Sequence, residues 1–81
     1  MDKVFCVAGH ICDNRVEYGY YKTESSALAG LEKQAESFSS KGFTVEHREP
    51  IPTFNECGEI LIYDGAELYG IIRVKSHILN D

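Results

Sequence analysis

Cys6, His10 and Cys12 lie four and two residues apart, and His47 and Cys57 follow downstream as further nitrogen and sulfur donors. Such a set invites a zinc site. In an extended strand, however, neighbours two residues apart are separated by nearly ~7 Å of rise, and no CxxC or HxxxH knuckle gathers the donors. A cross-strand carboxylate, Glu17, is the expected partner of His10 and would satisfy it without a metal. Cys57 and His47 also suggest a nucleophile with its base. The flanking Glu56 and Glu59 would raise the thiol pKa and work against activation. Neither arrangement compels a catalytic or metal assignment, so no cofactor is expected.

The remaining chemistry-bearing residues read as surface. Glu46, Glu49, Glu56 and Glu59 bracket Pro50 and Pro52, with Arg48 as the nearby cation. They form either a solvated rim or an acidic loop that speeds encounter with a basic protein. Carboxylate-driven hydrolysis needs a concave site, for which a chain of 81 residues has little room. Tyr18, Tyr20, Tyr21, Tyr63 and Tyr69 on strands could stack unpaired bases, but the expected register leaves only Tyr21 and Tyr69 off the helix side. With 13 acidic against 8 basic residues, the net charge of −5 opposes phosphate contact, and nucleic acid is not expected as a partner. No Walker or dinucleotide-binding glycine pattern occurs.

These residues must be carried by few elements. Val4–Cys12 and Val16–Thr23 are β-rich and flank Asp13-Asn14, residues suited to a tight hairpin turn. A two-residue loop there places Phe5, Val7, Ile11, Val16, Tyr18 and Tyr20 on one face. Cys6, Ala8, His10, Cys12, Arg15, Glu17, Gly19 and Tyr21 fall on the other. Thr23 to Gly42 is a helix: Thr23 caps it, Glu24 sits in the first turn, and Gly42 closes it. Leu28, Leu31, Ala35 and Phe38, flanked by Ala27, make its apolar stripe. Gly30 costs about 1 kcal/mol against Ala in a helix interior, a cost consistent with close approach to the sheet.

Phe43–Glu49 alternates as a half-buried strand that Pro50 and Pro52 end. A connector then runs to about Gly58. Glu59–Tyr63 and Ala66–Lys75 flank Asp64-Gly65, the clearest hairpin signal in the chain. That hairpin is expected to put Leu61, Tyr63, Leu68, Ile72 and Val74 toward the helix, and Ile60, Ile62, Tyr69, Ile71 and Arg73 away from it. Residues 76–81 are expected to be a frayed tail. The order is ββαβββ, a single α+β domain over 1–81 with one helix on one face of a mostly antiparallel sheet of four or five strands. Strand order is left open.

One helix is about 10–12 Å across, and five strands span roughly 24 Å. The expected open face carries Tyr21, Ile60, Ile62, Tyr69 and Ile71. At about 80–100 Å² each they total some 400–500 Å², near the upper limit that a soluble monomer exposes. The proline connector, a second copy or another protein would cover it. No run approaches the ~18 apolar residues of a membrane span, and Met1-Asp2-Lys3 before Val4–Gly9 is too short for a signal peptide. Three cysteines without a disulfide pattern fit a reducing cytoplasm.

The expected function is a small acidic, non-catalytic protein-binding module with the size and charge of inhibitors, immunity proteins and phage accessory factors. Its contacts would be Tyr21, Ile60, Ile62, Tyr69 and Ile71, with Phe54, Glu56 and Glu59 at the rim. The alternatives are a homodimer with back-to-back sheets or a Cys/His metal or thiol site.

Overall fold

The computed structural model describes residues 3–49 and 55–78. The chain order is β1 (Lys3–Ile11), β2 (Asn14–Tyr21), α1 (Glu24–Ser40), β3 (Thr44–Arg48), β4 (Glu56–Asp64) and β5 (Glu67–Ile78). The five strands form one antiparallel sheet in the order β2-β1-β5-β4-β3. The expected α+β architecture is what folds. The two hairpins lie side by side, joined through β1 and β5, and α1 crosses one face.

The helix forms where its signals place it. The Thr23 hydroxyl accepts a hydrogen bond from the Ser26 N–H at 3.1 Å, and Glu24 lies at the positive end of the dipole. At the other end Gly42 takes a left-handed φ of 98°, which lets the chain turn back so that the Phe43 N–H reaches the Phe38 carbonyl at 3.1 Å. Ala27, Gly30, Leu31 and Ala35 are buried against the sheet.

Two glycines set the distance between the layers. A methyl on Gly30 would lie 2.6 Å from the Tyr21 hydroxyl, because the tyrosine lies across the helix at that point. A methyl on Gly58 in β4 would lie 2.8 Å from a Leu28 methyl. Each layer thus surrenders a side chain so that the other can come close. Below the helix Val7, Ile60, Ile62, Ile72 and Val74 are fully buried and form the centre of the core. Each such burial contributes roughly 1.5–3 kcal/mol.

Three bulges set the phase of the strands. The β1–β2 register slips between Val7 and Ala8, so Tyr18 and Gly19 together face Val7. The β4–β5 register slips twice, leaving Cys57 with Gly58 opposite Val74 and Tyr69 with Gly70 opposite Ile62. Each bulge residue is followed by glycine, and each extra residue, Tyr18, Cys57 or Tyr69, packs against the helix-side core.

Several expectations are corrected by this geometry. The first turn is Cys12-Asp13, with φ of 50° and 66°, rather than Asp13-Asn14. Asn14 instead pairs with Ile11, and His10 faces Arg15 rather than Glu17. In the second hairpin Asp64 pairs with Glu67, so the turn is Gly65-Ala66. The strand β4 begins at Glu56, so no connector extends to Gly58. Residues 76–78 belong to β5, with Ile78 paired to Lys3, and are not frayed. Residues 50–54 and 79–81, and the question of what the connector covers, lie outside the described residues.

The largest correction concerns the two faces. Ile60 and Ile62 lie under the helix, not on the open face, because the bulge at Tyr69 shifts the β5 alternation against β4 by one residue. Tyr21 and Tyr69 are on the helix side as well. The Tyr69 ring sits 4.6 Å from that of Phe43 and 6.5 Å from that of Phe38. Conversely Leu61, Tyr63, Leu68 and Tyr20, expected in the core, occupy the opposite face by strand alternation.

Candidate functional site

The sheet face away from α1 is built in rows, because residues in register across antiparallel strands share a side. One row runs Arg15, His10, Ile71, Leu61, Glu46. The next runs Glu17, Ala8, Arg73, Glu59, Arg48, and a third runs Tyr20, Cys6, Lys75, Glu56. Beyond the first row Tyr63 faces Leu68. The face therefore has a greasy end near the β4–β5 turn and a charged middle.

At the greasy end Leu61 is only 4% exposed, although it points away from the helix. Ile71 pairs with it, Tyr63 and Leu68 lie one row on, and Leu68 is 51% exposed. Of the expected contact set, Ile71 is the apolar residue that stays on this face. Phe54 lies outside the described residues.

The charged middle is an ion-pair cluster rather than a solvated rim. Arg73 Nε lies 2.9 Å from Glu56 Oε1 and 2.5 Å from Glu59 Oε2, and Arg48 Nε lies 3.8 Å from Glu59 Oε1. The glutamate side chains are 5% and 9% exposed, whereas that of Arg73 is 34% exposed. The register causes this: β4 places Glu59 opposite Arg73, and the Cys57 bulge swings Glu56 toward the same guanidinium. The expectation that Glu56 and Glu59 stand free on an acidic rim is corrected. They are buried, and their charge is answered from the neighbouring strand.

The candidate thiol and metal residues are dispersed. His47 Nε2 contacts Glu32 Oε1 of the helix at 2.6 Å. Cys57 lines the same shallow depression, but burial and the carboxylate of Glu24 push its thiol pKa upward, against nucleophilic activation. The carboxylate responsible comes from the helix, not from the neighbours Glu56 and Glu59. Cys6 is buried and faces Tyr20 across β1 and β2, while Cys12 sits in the first turn with its N–H bonded to the Tyr69 carbonyl at 3.0 Å. Among the described residues no group of three His, Cys, Asp or Glu side chains could hold a metal ion. Among them, too, no helix is long and apolar enough to cross a membrane.

Sequence reasoning missed Arg73 as the organising cation, and Leu61 and Leu68 as open-face residues. A signal for both existed: a lone glycine inside a strand pattern marks a bulge, and Gly19, Gly58 and Gly70 are such glycines. No family model matches the chain, and no curated protein or solved structure matches it either.

Proposed function

We propose that the chain is a non-catalytic protein-binding module that meets its partner with the sheet face opposite α1. The observation that carries this reading is the composition of that face. Ile71, Tyr63 and Leu68 form an apolar corner over the buried Leu61, bordered by side chains already held in place by the Arg73–Glu56–Glu59 cluster. Apolar anchors beside ordered polar groups are the anatomy of a docking surface, since little side-chain freedom is lost on association. A face of five strands by about eight residues spans roughly 24 × 26 Å, of the order of the ~800 Å² that each partner buries in a standard interface. The net charge of −5 favours encounter with a basic protein.

Affinity capture with wild type, Leu68→Glu and Ile71→Glu tests this reading. A partner bound saturably by wild type and lost from both variants supports it. Equal capture by all three overturns it. A sedimentation mass twice the 9.1 kDa of one chain, abolished by Leu68→Glu, would instead identify the partner as a second copy.

A further inference from the structure

A second feature of the same sheet face lies away from the apolar corner and does not depend on it. Cys6, Ala8, Gly9, His10, Arg15, Arg73, Lys75 and His77 line a depression of about 200 Å³. Five of these eight are basic or protonatable and none is acidic, in a chain whose acidic residues outnumber its Lys and Arg 13 to 8. We propose that this depression binds a small oxyanion of the phosphate class.

The strand registers explain how the nitrogen-bearing side chains gather. Arg73, Lys75 and His77 occupy alternate positions of β5 and so share its open side, about 7 Å apart. On β1, Ala8 faces Arg73 and Cys6 faces Lys75, so the floor between the strands is made of small side chains. His10 and Arg15 stand opposite each other across β1 and β2 and close the adjoining wall.

Carboxylates border this set: Glu56 and Glu59 contact Arg73, Glu56 also faces Lys75 across the strands, and Glu17 contacts Arg15, yet N–H donors remain. The recorded contacts of Arg73 to Glu56 and Glu59 use Nε, and the contact of Arg15 to Glu17 uses a single terminal nitrogen. Each guanidinium therefore retains further N–H donors in its planar fork. Among the described residues His10, Lys75 and His77 have no side-chain hydrogen bond or ion pair. A phosphate offers acceptor oxygens on every side and matches both guanidinium and ammonium donors. The volume holds on the order of half a dozen waters, enough for an oxyanion and too little to enclose a nucleotide.

A backbone-amide NMR titration with inorganic phosphate, at ionic strength held constant with chloride, tests the site. The expected result is saturable shifts at Ala8, Gly9, His10 and Lys75. Lys75→Gln is expected to weaken binding about tenfold, the loss of one charge-assisted hydrogen bond. Ala8→Leu, which fills the floor without changing charge, is expected to do the same. Lys33→Glu on the exposed side of the helix leaves binding unchanged. Shifts that do not saturate, that chloride alone reproduces, or that survive both Lys75→Gln and Ala8→Leu would overturn the proposal, whatever becomes of the protein-partner reading.

Discussion

The same five strands solve two different problems on their two sides. Toward α1 the sheet presents Val7, Ile60, Ile62, Ile72 and Val74, all without solvent exposure, and the helix seals them. On the other side no helix among the described residues lies across the strands, and the central rows turn to ion pairs, with Arg73 between Glu56 and Glu59. One face is stabilised by apolar area. The other is ordered by matched charges, which keep surface side chains fixed where a run of aliphatics would invite aggregation. The contrast teaches that one helix can serve a broad sheet when most of the apolar area is gathered on the face it covers.

The most drastic way to break the contrast is to put a charge on the sealed side. Ile62→Glu buries a carboxylate with no partner, and the variant is expected to be unfolded at 25 °C by circular dichroism. Leu68→Glu on the open side makes the complementary control, with a stability change within about 0.5 kcal/mol. A Leu68→Glu protein that unfolds alongside Ile62→Glu would erase the distinction between the faces. The next largest effect is expected from Arg73→Met, which leaves Glu56 and Glu59 buried together without their shared cation. Urea unfolding should show a loss of about 3 kcal/mol, and adding Glu59→Gln should recover part of it. A fully additive double variant would mean that the cluster is not a unit.

The smallest effect sharpens the boundary between the layers at Cys57. Burial, and then Glu24, raises its thiol pKa, so the folded state favours the protonated form. A group whose folded pKa lies above its unfolded value supports the fold below the unfolded pKa and loses that support as pH climbs through the folded one. Stability should therefore decline modestly as pH rises above about 9, and Cys57→Ser should flatten that decline. Alkylation followed by peptide mapping should label exposed Cys12 before Cys57, with buried Cys6 last.

The helix was legible from end to end because its signals are local. Thr23 caps, Gly42 terminates, and Leu31 and Ala35 recur at a period that no distant contact can alter. The strands were legible as strands, yet their phase was not. A single inserted residue at Tyr18, Cys57 or Tyr69 sends the following alternation to the opposite side. Alternation without the bulges sends Ile60 and Ile62 outward and Leu61 and Leu68 inward. The ion cluster was illegible for the same reason, since Arg73 meets Glu59 only through a register that the bulges decide. Strand order was beyond local reasoning altogether.

The seam between β1 and β5 carries a kinetic consequence. It alone unites the two hairpins into one sheet, and it pairs Lys3 with Ile78, residues at opposite ends of the described chain. Each hairpin can zip up on its own within microseconds, but the core beneath α1 draws on both. Completing the sheet therefore requires a contact spanning most of the described chain, and slow, concerted folding is the expected outcome.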